Sequence, residues 1–216
     1  MGSISRKAAG QKGDTGAADP AVTAALQAWA RGTGGEHEAL TALSAARLIV
    51  PVVAMLNERN DDGTEKETEM ALPTLVGNDG RKAVIAFTGT PALARWNPGA
   101  RPVPFPARRV WEYAVAEGDA VVIDVAGPVP LVVEGARLAA LAAGEEPPLP
   151  HQDPDVRAGI AEVTDGFTLE PGPPGSDFLV TLRTADAAAA RRAAEEISAR
   201  MRAGGRFRRG VGFRID

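Results

Sequence analysis

The sequence predicts an α+β protein. A mixed or mostly antiparallel sheet with flanking helices is followed by a small α-β-β-α-β carboxy-terminal domain. Three observations predict this. Apolar runs of strand length at 47–56, 70–76, 82–88 and 119–124 are interspersed with amphipathic runs of helix length. The loop Gly77-Asn78-Asp79-Gly80 joins two of those strands directly, as in an antiparallel hairpin, because Asn, Asp and Gly tolerate the positive φ angles of tight turns. The run Glu145-Glu146-Pro147-Pro148-Leu149-Pro150 has linker composition and divides the chain.

The elements follow in order. Residues 1–19 are Gly/Ala/Ser-rich and read as a flexible tail without the apolar middle of a signal peptide. A helix over 20–31 has Asp19 as N-cap, Pro20 at its first position, and Val22, Leu26 and Trp29 on one face. Gly32-Thr33-Gly34-Gly35 ends it, and a second helix over 36–46 turns Leu40 and Leu43 inward. This hairpin must dock on another surface. The run 47–56 is apolar on both faces and reads as an interior strand, with Pro51 at a bulge or on a locally unpaired side. The acidic stretch 58–69 reads as a solvated loop; Asn60-Asp61-Asp62-Gly63-Thr64-Glu65 lacks the ligand spacing of an EF-hand.

After the hairpin strands 70–76 and 82–88, Thr90 can cap a helix that Pro91 opens, placing Leu93 and Trp96 toward the core or a partner. Residues 101–105 are proline-spaced and extended, and Pro106 opens a helix to about Glu117. Strands at 119–124 and 130–133 precede a helix over 135–143. Beyond the linker, 145–153, a helix (a strand being the other reading) covers 155–163. Strands 167–170 and 178–183 pair across a Pro/Gly turn, an alanine-rich helix fills 185–202, and a last strand covers 207–215. The domains are thus 20–144 and 154–216.

Composition excludes several classes of function. The 216 residues contain no cysteine, which removes disulfides, thiol nucleophiles and thiolate metal ligands and fits a cytoplasmic setting. No apolar run reaches the roughly 20 residues a membrane span needs. The net charge is −4, yet residues 184–216 carry eight Arg against four acids. That asymmetry reads either as a polyanion-binding end or as a soluble surface.

One set of motifs resembles a known family. Ala46-Arg47-Leu48-Ile49-Val50-Pro51-Val52-Val53, Met70-Ala71-Leu72-Pro73-Thr74-Leu75, Asp79-Gly80-Arg81, Phe87-Thr88, Ala92-Leu93-Ala94-Arg95-Trp96 and Val122-Ile123-Asp124-Val125-Ala126-Gly127 are similar in order and spacing to the SseB family. The version found in high-GC Gram-positive bacteria is the nearest in kind. The resemblance implies an SseB amino-terminal domain over about 20–144 and the smaller SseB carboxy-terminal domain over 154–216. It implies no reaction, cofactor or catalytic residue.

The residues themselves supply no catalytic set, no metal site and no cofactor motif. His37-Glu38 opens a zincin-like spelling, but the second ligand position holds Thr41, and His151 lies beside the linker. Phosphate-binding glycine loops and the Gly-x-Ser-x-Gly elbow are absent. Phe87-Thr88-Gly89-Thr90-Pro91 reads as an ordinary helix start or as a small-anion site. Asp124 ends a strand, where it is either a capping carboxylate or part of a polar cluster with Asp79, Arg81 and Arg95. These residues, with Thr88, Thr90 and Trp96, are the candidate ligand or partner contacts. Arg206, Arg208, Arg209 and Arg214, interleaved with Phe207 and Phe213, are either candidate polyanion contacts or the charged side of an edge strand. The function expected is a non-enzymatic protein-interaction or regulatory module with an unknown protein partner. A small-anion or metabolite sensor and a nucleic-acid binder are the alternatives, and no membrane partner is expected.

Overall fold

The computed structural model describes residues 15–52, 72–77 and 80–216. The chain is α+β and forms two compact units that are not contiguous in sequence. One contains 1–20 and 43–144, the other 21–42 and 145–216.

In the first unit, β1 (Arg47–Val52) pairs antiparallel with β4 (Arg101–Pro106). A four-stranded mixed sheet has the order β2 (Thr74–Val76), β3 (Lys82–Ala86), β5 (Ala120–Ile123), β6 (Leu131–Glu134). Only β3 and β5 are parallel, and the β2–β3 hairpin is antiparallel as the turn composition requires. The first hairpin strand is short: Leu72 and Pro73 precede it, and residues 70–71 lie outside the described residues, as does the acidic stretch 58–69. An antiparallel bridge between Ile49 and Phe87 links β1 to the end of β3. Val84, Ile85, Ala86 and Phe87 are all at most 1% exposed, so β3 reads as one apolar run because both of its faces are covered. Helix α4 (Ala107–Glu117) lays Val110, Trp111 and Ala114 into this core, packing against β3, β5 and α5 (Gly135–Ala143). Each such large apolar side chain contributes about 1.5–3 kcal/mol when fully buried.

Strand β4 carries Pro102, Pro104 and Pro106, opposite Pro51, Ile49 and Arg47. The pairing parity explains how a strand tolerates them. Ile49 directs both its N–H and its C=O to Phe87, at 2.7 and 2.8 Å, so the odd-numbered residues of β1 point their main-chain groups away from β4. The three prolines opposite them then lack N–H groups only on the outer edge of β4, where no ladder bond is lost. Pro51 likewise sits on the side away from β4.

The second unit contains helices α1 (Pro20–Ala30) and α2 (Glu36–Ser44) over the spans where they are expected; Pro20 and Leu43–Ser44 group with the first unit. It continues as α6 (Pro154–Ala161), β7 (Phe167–Pro171), β8 (Phe178–Leu182), α7 (Ala187–Ala203) and β9 (Val211–Ile215), the α-β-β-α-β order expected. Strand β8 is central, antiparallel to β7 and parallel to β9. Its core gathers Val156, Ile160, Phe178, Val180, Leu182, Ile197 and Phe207. Asp186 caps α7 by accepting from the N–H groups of Ala188 and Ala189. The last strand is shorter than the sequence reading: residues 207–210 are not strand, because Phe207 turns into the core and Arg209 is held by Asp177.

Candidate functional site

The candidate contacts of the first unit separate to two ends of the mixed sheet. Thr88 follows β3 and Asp124 follows β5, and since those strands are parallel the two residues meet at one end. Arg81 precedes β3, at the other end, where its guanidinium pairs with Glu134 at 2.7 Å. About five residues of strand, roughly 16 Å, lie between. The polar cluster of Asp124 with Arg81 therefore does not form; of the described partners, Arg95 acts electrostatically on Asp124. Asp79 lies outside the described residues.

Asp124 is 5% exposed and holds φ at 50°. Asp tolerates this left-handed conformation better than most residues. Its Oδ1 accepts the Thr88 N–H at 2.9 Å and its Oδ2 accepts the Thr88 hydroxyl at 2.7 Å. Its own N–H donates to Ala86 O at 3.0 Å. Burial pushes the carboxyl above the usual range, opposed by the Thr88 N–H, the Thr88 hydroxyl and the Arg95 charge. At the opposite end of the same strand pair, Asp119 accepts the Lys82 N–H at 2.9 Å and donates its own N–H to Lys82 O at 2.8 Å. Two aspartates thus clamp β5 to β3, one at each end. Asp124 is the buried clamp, and both of its oxygens are engaged in holding it.

Helix α3 (Thr90–Trp96) does not start as expected. Gly89 is its N-cap and there is no side-chain cap. The Thr90 hydroxyl and N–H both donate to Gly16 O, at 3.1 and 2.8 Å. Arg47 donates to Thr88 O at 3.2 Å and to Ala17 O at 2.8 Å. Residues 15–19, read in the sequence as tail, are thereby laid against the turn that follows β3. Trp96 is half-buried with its ring 5.7 Å from that of Phe87, in the cluster with Ile49, Ile85 and Leu93. In the sequence Gly16 reads only as tail, Arg47 only as part of a family motif, and Gly89 only as the small residue of a helix start. Their only local signal is an arginine at the head of an apolar strand and a glycine before Thr-Pro.

In the second unit the four candidate polyanion contacts have intramolecular contacts. Arg206 is mostly buried. It pairs with Glu36 at 3.0 Å and with Asp153, which are 3% and 0% exposed in their side chains. Burial lowers its basicity, but the two carboxylates outweigh it and the guanidinium stays firmly protonated. Asp153 also caps α6, accepting from Asp155 N at 2.9 Å. Arg209 binds Asp177 through its N–H at 2.9 Å and its Nε at 3.0 Å. Arg214 pairs with Glu170 at 2.7 Å. Arg208 lies over the Trp29 ring at 4.9 Å, and the Trp29 indole donates to Arg206 O at 2.8 Å. These contacts seat the helical hairpin on the carboxy-terminal segment.

His37 meets Glu146 at 3.2 Å. Among the described residues no group of three or more His, Cys, Asp or Glu comes together, and no helix is long and apolar enough to cross a membrane.

No curated protein and no solved structure matched the chain. The family model of the SseB protein N-terminal domain matches residues 22–140, from α1 into α5, more than half of the sequence. The chain belongs to the SseB family.

Proposed function

We propose that this chain is a non-enzymatic protein-interaction or regulatory module. The observation that carries the reading is the β2 edge of the mixed sheet, on which no further strand pairs among the described residues. Strand β2 is an edge strand with all three residues exposed, and Leu75 and Val76 are 37% and 65% exposed. An uncharged, apolar edge strand is a template on which another chain can add a strand. The ionic groups that chemistry would use are engaged within the fold instead: Asp124 by Thr88, Arg206 by Glu36 and Asp153. The anion-sensor reading has less support, since the Thr88 and Thr90 amides already donate to Asp124 and Gly16. Binding of nucleic acid by the terminal arginines has less support for the same reason.

The finer family placement is part of this proposal. The α-β-β-α-β order supports reading 154–216 as the SseB carboxy-terminal domain. The alanine- and arginine-rich composition supports the type found in high-GC Gram-positive bacteria, and the lack of cysteine supports a cytoplasmic location. Affinity capture from native lysate, with the wild type and Val76→Glu compared quantitatively, tests the proposal. A defined set of proteins retained by the wild type and lost from the variant is expected. Identical sets from both refute the β2 edge as the binding surface, and catalytic turnover of a metabolite abolished by Asp124→Asn refutes the non-enzymatic reading.

A further inference from the structure

The turn after β3 is fitted around a peptide. Gly89 packs on the main chain of residues 16–18, and Gly16 packs on the Thr90 side chain. A Cβ on Gly89 would lie 2.7 Å from Ala18 N and 3.0 Å from Gly16 O, and a Cβ on Gly16 would lie 2.7 Å from the Thr90 side chain. Gly89 is in extended conformation, so its lack of a side chain serves space and not φ; Gly16 has φ of 76° and needs both freedoms. Around this contact, Thr90 donates twice to Gly16 O and Arg47 once to Ala17 O. All three donors read main-chain carbonyls. None of residues 15–19 is itself buried, whereas Gly89 beneath them is.

We propose that Arg47, Gly89 and Thr90 form a docking cradle for an extended peptide of small residues. Segment 15–19 is its built-in occupant, and it must leave before a partner's segment can enter. The ligand class follows from the contacts: a glycine against the Thr90 side chain, main chain packed close on Gly89, and two successive carbonyls to accept from Thr90 and Arg47. Release is easy because the segment has no buried apolar anchor, and elements that bury little apolar surface open well before the core does. This surface is separate from the β2 edge, so the two readings stand or fall independently.

The full-length chain tests the idea. Gly16→Val places a β-branched residue at positive φ against Thr90 and releases the segment. Amide exchange at Thr90, whose N–H bonds Gly16 O, is expected to rise at least tenfold in the variant. A labelled peptide with the sequence of residues 12–20 is expected to bind the variant at least tenfold more tightly than the wild type. Adding Gly89→Val should abolish that binding. Unchanged Thr90 exchange, equal peptide binding by variant and wild type, or no binding to either overturns the proposal. Should Gly16→Val fail to fold, the unaltered chain decides: Thr90 must exchange faster than Ile85 within β3, and equal protection of the two overturns the strap.

Discussion

Thr88 gives both of its hydrogens to Asp124, the N–H to one carboxylate oxygen at 2.9 Å and the hydroxyl to the other at 2.7 Å. The pair closes the end of the β3–β5 ladder inside a site where an unpaired carboxylate is costly. Thr88→Val keeps the shape and removes one donor. It should lower stability by about 1–3 kcal/mol, the cost of leaving a buried acceptor unsatisfied. Urea denaturation measures this, and an unchanged midpoint contradicts the clamp.

The raised Asp124 carboxyl gives a pH dependence of definite sign. The folded state holds this proton more tightly than the unfolded chain does, because burial outweighs the Thr88 hydrogen bonds and Arg95. The group's contribution is therefore full below about 3.9, the ordinary Asp value, and is lost as pH rises through the higher folded value. Asp124→Asn removes the titration. The stability of the wild type minus that of Asp124→Asn should fall as pH is raised from about 4 to 7. A difference that is flat or rises with pH contradicts this.

Arg206 is held by two buried carboxylates, and its removal takes a shared cation from both. Arg206→Met should cost about 3–5 kcal/mol, the range seen when one partner of a buried ion pair is lost. The Trp29 indole bonds the main-chain O of residue 206, so loosening of that segment should make Trp29 more accessible to a fluorescence quencher. A cost below about 1 kcal/mol, the range of exposed pairs, would falsify the structural role.

The prolines of β4 deny N–H groups to its outer edge. Restoring them with Pro102→Thr and Pro104→Thr leaves the β1 ladder intact and creates a strand edge able to pair. Sedimentation velocity should show more self-association in the double variant than in the wild type at equal concentration. Equal sedimentation would mean that this edge is blocked by something other than the missing donors.

Local signals carried most of the fold. The helices over Pro20–Ala30, Ala107–Glu117 and Gly135–Ala143 follow from apolar spacing, proline starts and glycine stops, all of which act within a few residues. What the sequence hid depends on distant partners. Nothing near Arg206 says that Glu36 and Asp153 will neutralise it, at separations of 170 and 53 residues. Hence a paired, mostly buried guanidinium read as a surface charge, and residues 207–210 read as strand. Pro102 and Pro104 argued for an extended segment, and Pro106 for a helix start, but none could reveal that Ile49 turns its polar groups to Phe87. Thr90 looked like a helix cap because Thr-Pro usually is one. Its hydroxyl instead meets Gly16, 74 residues earlier. Asp124 and Arg81 could be joined on paper only because strand direction was unknown.

The interaction reading rests on the β2 edge, and site-specific crosslinking there tests it most directly. A photo-reactive residue placed at Val76 of the full-length chain, in native lysate, should yield a discrete protein adduct. The same residue at exposed Ala94 should not. Position 76 giving no adduct beyond position 94 would contradict the account.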